Sequence, residues 1–139
     1  MLQLLCHLTT LSSMEANTKG RLKKMSFISI RVNSLSGNHL ATTGDVPNGR
    51  KDSAIVAMGN FVLMYGGEPL VGSEPWDPNF YLLNINNRQW IRVRMEGSIP
   101  RERSGHSAVT IGGVMYIWGG QCSGHYFKEI LAFNTSNCK

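Results

Sequence analysis

From residue 44 onward apolar residues recur in short runs of four to six, never at the three-and-four spacing of a helix. The runs are Ser53 to Met58, Phe61 to Tyr65, Phe80 to Ile85, Gln89 to Arg94, His106 to Ile111, Val114 to Trp118 and Ile130 to Phe133. Gly, Asn, Pro and Ser punctuate them, so each predicts a β-strand. His106 to Ile111 alternates polar with apolar, whereas Phe61 to Tyr65 is apolar at every position, as in a strand covered on both faces. Gly59-Asn60 and Gly112-Gly113 each link two runs. A two-residue hairpin loop needs positive φ, which Gly and Asn adopt at least steric cost. The polar Asn86-Asn87-Arg88 predicts a third turn.

The pattern is periodic. Gly97 to Gly120, GSIPRERSGHSAVTIGGVMYIWGG, lies over Gly44 to Gly67, GDVPNGRKDSAIVAMGNFVLMYGG, at an offset of 53 residues without a gap. Gly44, Pro47, Arg50, Val56, Gly59, Gly66 and Gly67 fall on identical residues, and Tyr65 falls on Trp118. Chance supplies one Gly-Gly match, not this register. Self-similarity at such a period marks a solenoid or a propeller. Four strands per period (a, b, c and d) predict stacked up-and-down antiparallel sheets, the blades of a β-propeller. The second repeat stops in its c–d turn, before its last strand. The Gly-Gly after strand b predicts a sharp exit and close backbone approach.

These residues resemble the kelch repeat. The carriers are Gly97, Pro100, Arg103, Gly105-His106-Ser107, Gly119-Gly120, the strand Phe80-Tyr81-Leu82-Leu83-Asn84, and Trp90 after a polar turn. The first repeat departs from the pattern with Asp52-Ser53 in place of Gly105-His106. Trp76-Asp77 lies in a loop, not at a strand end, so a WD-type propeller is set aside. The fold expected is all-β: two four-stranded antiparallel blades of a kelch-type propeller in an incomplete ring, behind a poorly ordered N-terminal tail. The boundaries expected are 1–43 for the tail, with a short strand at 27–32, then 44–96 and 97–139 for the repeats. The resemblance implies a protein-binding platform, here a piece of a longer protein. A second implication is a piece of a metal-dependent oxidoreductase propeller similar to galactose oxidase.

Composition narrows the partners. The net charge is +5, but residues 1–43 carry five basic groups and one acidic, and residues 44–139 nine basic and eight acidic. The repeats are therefore nearly neutral, and no aromatic interleaving supports stacking on bases, so no nucleic-acid partner is expected. No apolar stretch reaches the ~18 residues of a membrane span, and residues 1–11 lack the basic start of a signal peptide. No membrane partner is expected. Three cysteines, Cys6, Cys122 and Cys138, favour a reducing compartment, the cytoplasm, with a Cys122–Cys138 bridge left open. Asn134-Thr135-Ser136 fits the glycosylation acceptor pattern, which matters only in a secreted chain.

Candidate chemistry lies in the long loops, because strand direction puts the b–c and d–a connections on one side of a blade and the tight turns on the other. The b–c loop of the first repeat brings Glu68, Glu74, Trp76 and Asp77, an exposed aromatic among carboxylates. The d–a loop brings Arg101 and Glu102, and the second b–c loop His125 and Tyr126. Trp, Tyr and Arg are favoured interface anchors. Arg50 and Arg103 recur at one phase and are read as ties from blade to blade. His106 is expected to make a structural hydrogen bond. Cys122 and His125 lack a second ligand pair, and His39, His106 and His125 show no convergent spacing, so no metal, cofactor or catalytic residue is assigned. Self-association through uncovered blade faces remains open.

Overall fold

The computed structural model describes residues 40–138, and the expectations for the tail, its strand at 27–32, Cys6 and His39 lie outside them. Twelve strands follow in order: β1 (Thr43–Gly44), β2 (Arg50–Lys51), β3 (Ala54–Met58), β4 (Phe61–Tyr65), β5 (Glu68–Pro69), β6 (Phe80–Asn84), β7 (Gln89–Arg92), β8 (Ser107–Ile111), β9 (Val114–Trp118), β10 (Gln121–Cys122), β11 (His125–Tyr126) and β12 (Ile130–Asn134). Each strand expected from residue 44 onward is present, with its ends moved by at most two residues. The first blade is the sheet β1-β7-β6-β4-β3 and the second β12-β9-β8.

Strands a to d of the first repeat (β3, β4, β6, β7) pair antiparallel in sequence order. Five two-residue strands, β1, β2, β5, β10 and β11, were not foreseen, and of these β1 joins a blade. Thr43 and Gly44 add to the outer edge by pairing parallel with Gln89 and Trp90, where the Asp45 carboxylate also accepts the Arg92 N–H at 3.1 Å. Two residues of polar sequence carry no strand signal, because their ladder depends on a partner some 46 positions away.

The core lies between the blades. Ala54, Val56, Leu63, Tyr65 and Phe80 of the first sheet meet Met115, Ile117 and Phe133 of the second. Phe80 stacks between Tyr65, with centroids 4.3 Å apart, and Phe133, at 4.2 Å. The first sheet's opposite face holds Val62, Met64, Tyr81, Leu83 and Trp90, all buried. Strand b of the first repeat is thus covered on both faces from Val62 to Tyr65, as expected. Strand b of the second is not: Met115 and Ile117 are buried, but Tyr116 and Trp118 are exposed. Cys122 and Cys138 are both free thiols.

Candidate functional site

Both kinds of long loop come together on one side of the sheets, and backbone hydrogen bonds join them. In the first repeat, β2 of the d–a side pairs antiparallel with β5 of the b–c loop, and the Leu70 N–H donates to the Gly49 carbonyl at 3.0 Å. In the second, Ser104 and Gln121 exchange two backbone bonds, each 2.9 Å, at the equivalent place. The remainder of that b–c loop folds as the hairpin β10–β11. The blades are then stitched to each other. The Gly67 N–H donates to the Arg103 carbonyl at 2.8 Å, the Gly105 N–H to the Asp52 carbonyl at 3.0 Å, and the Tyr65 hydroxyl to the Arg101 carbonyl at 2.8 Å.

Arg50 and Arg103 make one repeated construction. Arg103 donates from Nη1 to the Gly119 carbonyl at 3.1 Å, from Nη2 to Glu129 Oε1 at 2.8 Å and from Nε to the Arg101 carbonyl at 3.4 Å. Its guanidinium lies 3.9 Å above the Phe127 ring. Arg50 donates to the Gly66 carbonyl, Asp77 Oδ2 and the Asn48 carbonyl in the same manner. These partners belong to the arginine's own repeat. Each clamps its own b–c loop to its own double glycine, which corrects the reading of the Arg50 side chain as a tie from blade to blade. Arg103 also ties the blades together, through its backbone carbonyl, which accepts from the Gly67 N–H, and through its guanidinium, which acts on the Tyr65 hydroxyl of the first blade. A planar fork with several donors suits this convergence of carbonyls and a carboxylate better than an ammonium would.

The candidate residues divide by what they touch. Asp77 is used inside the loop: its carboxylate accepts from Arg50, from the Tyr81 hydroxyl at 2.6 Å, and from the Asn79 N–H and Nδ2 at 2.9 and 2.6 Å. Burial alone would raise its pKa, but the bonds from Tyr81, the Asn79 N–H and Arg50 outweigh that and lower it. Burial first, then the Asp77 bond, pushes the Tyr81 phenol up to about 12. Trp76, expected as an exposed aromatic, is half-buried, as are Glu74 and Glu102. Glu68 pairs with Lys51 Nζ at 3.1 Å on the surface. Arg101, His125 and Tyr126 are exposed, Tyr126 to 71%. The His125 ring packs edge-on against Phe127.

His106 departs from expectation. It is 8% exposed, and neither ring nitrogen has a hydrogen-bond partner among the described residues. The ring sits edge-on to Tyr65 at 5.4 Å, against the backbone of Gly66. Burial, then the Arg103 charge, lowers its pKa to about 4; the Tyr65 carbonyl, off hydrogen-bonding geometry, offsets a small part. It is a space-filling neutral imidazole at the blade junction.

Sequence reasoning missed Glu129, Phe127 and the Tyr65 hydroxyl. Phe80 follows Tyr65 by 15 positions, but Ile130 follows Trp118 by 12. Glu129 and Asp77 therefore share no register, although they bind equivalent arginines. A search for a carboxylate ahead of strand c in each repeat, without fixed spacing, finds both. Among the described residues no group of three His, Cys, Asp or Glu could hold a metal ion. The depression between Arg50, Gly67, Glu74 and Asp77 has a volume of about 10 Å³, room for one water.

Comparison with known proteins agrees with the architecture. A family model described as the KLHDC2/KLHL20/DRC7 Kelch-repeats domain matches residues 15–139. Kelch domain-containing protein 3 of Homo sapiens is 35% identical over 93 residues, 66% of this chain and 24% of that protein. Tip elongation aberrant protein 1 of Schizosaccharomyces pombe is 27% identical over 99 residues, 70% of this chain and 9% of its own length. Tip elongation aberrant protein 3 of the same yeast is 30% identical over 89 residues, 62% of this chain and 8% of its own length. The chain thus spans about a quarter or less of these relatives.

Proposed function

The chain belongs to the kelch-repeat proteins, and on that footing we propose that it is a protein-interaction module presenting its joined loop face to a protein partner. Kelch domains generally mediate protein–protein interactions. The observation that carries the reading is the continuous surface built when the Gly67, Gly105 and Tyr65 bonds lock the loops of two blades together. Loops held at that many points lose little further entropy on binding, which favours affinity. Arg101, His125 and Tyr126 stand out from this surface with side chains that make no hydrogen bond or ion pair among the described residues, while Trp76, Glu74 and Glu102 line it half-buried. Glu68 sits at its rim in an ion pair worth little. Asp77 acts indirectly, by shaping the loop that carries Trp76.

The partner proposed is another protein; the depression beside Arg50 admits only water. The compartment proposed is the cytoplasm, supported by the free thiols of Cys122 and Cys138. A photo-crosslinking amino acid placed at Arg101 or Tyr126 in cells is expected to capture a discrete protein. The same group at Asn60 or Asn86, in the tight turns, is expected to capture none. Capture from the tight turns alone would place the binding face on the other side and end the proposal.

A further inference from the structure

The first d–a segment holds a dipeptide that the second repeat shows the blade does not need. Asn48-Gly49 is the chain's sole Asn-Gly pair, and the second repeat has Arg101-Glu102 at the same places. Both pairs do the same structural work through the backbone. The Asn48 carbonyl accepts from Arg50 Nε at 3.1 Å, and the Arg101 carbonyl from Arg103 Nε at 3.4 Å. Gly49 is not at positive φ, and a Cβ added there would meet nothing nearer than the end of the Leu70 side chain, at 3.2 Å. Neither the backbone conformation nor a close backbone approach therefore calls for glycine.

The surroundings of the pair suit a different chemistry. Asn48 and Gly49 are half-buried, and neither the Asn48 carboxamide nor the Gly49 N–H makes a hydrogen bond among the described residues. By contrast, the carboxamides of Asn79, Asn84, Asn87 and Asn134 are all hydrogen-bonded. Asn48 and Gly49 line the depression that has room for one water. Glu74 lines it too, half-buried, with a carboxylate that is unpaired among the described residues. Asp77, the other acid there, is engaged by Arg50, Tyr81 and Asn79.

We propose that Asn48-Gly49 is a self-modifying site of the folded protein, converted through a cyclic imide to aspartyl and isoaspartyl forms with Glu74 as the proton acceptor. The Gly49 amide gives its proton to the Glu74 carboxylate, through the one water that the depression admits, and its nitrogen attacks Asn48 Cγ. A C–N bond forms, the Cγ–Nδ2 bond breaks, and ammonia leaves with the proton that Glu74 held. Water then opens either carbonyl of the imide, leaving aspartate or isoaspartate. Each product adds a negative charge to the loop face. In the isoaspartyl form the main chain is one methylene longer between Pro47 and Gly49, and the former Asn48 carbonyl is a carboxylate beside Arg50 Nε.

The test incubates the folded chain at neutral pH and follows the peptide that contains Asn48, by methyl transfer from an isoaspartyl methyltransferase and by the mass gained when NH is exchanged for O. Isoaspartate is expected there and at no other described asparagine. Gly49→Ala, which only the flexible Leu70 side chain has to accommodate, is expected to abolish it. Glu74→Gln is expected to slow it in the folded chain and to leave the rate in urea unchanged. Isoaspartate that accumulates at Asn48 in urea but not in the folded chain would overturn the proposal. Equal rates in the folded parent and folded Glu74→Gln chains would overturn the role given to Glu74.

Discussion

Replacing His106 by Leu should leave stability at neutral pH nearly unchanged and flatten its fall in acid. The imidazole makes no hydrogen bond in the folded protein, so the substitution leaves no partner unsatisfied and removes two buried nitrogens that cost free energy where they are. The acid effect follows from the pKa of about 4 in the folded protein against an ordinary value of 6.5. Between those values the unfolded chain holds a proton that the folded chain refuses. Stability is therefore full above about pH 6.5 and declines as pH falls toward 4, by up to ~1.4 kcal/mol per pH unit. The whole window caps the loss at ~3 kcal/mol, and partial access of solvent to the ring reduces it to roughly 1.5–3 kcal/mol. Asp77 and Glu129, whose pKa values are lowered, lose their own contributions at lower pH still and do so alike in both proteins. Urea unfolding followed by circular dichroism at pH 7.5, 6, 5 and 4.5 isolates His106 as the difference between the two curves. Parallel curves would refute the reasoning, because they would mean that the folded protein protonates the ring without cost.

The double glycines should respond unequally to Ala when thermal unfolding is measured. Gly67 and Gly120 both lie at positive φ, and a Cβ added at either would come 2.9 Å from a carbonyl of its own d–a loop, that of Lys51 or Ser104, so both should lose about 2–4 kcal/mol. Gly66→Ala should cost a similar amount and Gly119→Ala only about 1–2 kcal/mol, since only Gly66 is pressed by a neighbouring blade. Arg103→Met should destabilise by about 3–4 kcal/mol in urea titrations, because the 1%-exposed side chain holds the Gly119 and Arg101 carbonyls and Glu129 together.

The strands and their order were legible because a half-buried or doubly buried strand writes its environment into every residue, and the repeat wrote it twice. The Gly-Gly exits were legible for a different reason: few residues tolerate φ of 67° and 98°, as Gly66 and Gly67 have. Side-chain partners in the loops were not. The acid that holds each arginine sits in a loop whose length differs between repeats, so alignment sees the arginine and loses the acid. Asp77 read as a surface carboxylate because sequence cannot show that Arg50, Tyr81 and Asn79 converge on it. His106 read as a hydrogen-bonding residue because it opens strand a at a place that matches the kelch pattern, while its surroundings, the Tyr65 ring edge and the Gly66 backbone, are set by the adjacent blade.

Sequence by itself determined that residues 44–139 carry kelch-type β-sheet repeats and that most of the charge excess lies in residues 1–43. Tertiary structure alone decided that the repeated arginines clamp within a blade, that the blades are joined through the backbone of Arg101 and Arg103, and that one apolar face is covered while its repeat is exposed. The physical reason is range. Strand pattern and turn chemistry are local and are recorded residue by residue. Burial of Tyr65 and exposure of Trp118 depend on what lies on the other side, which no residue in either strand encodes.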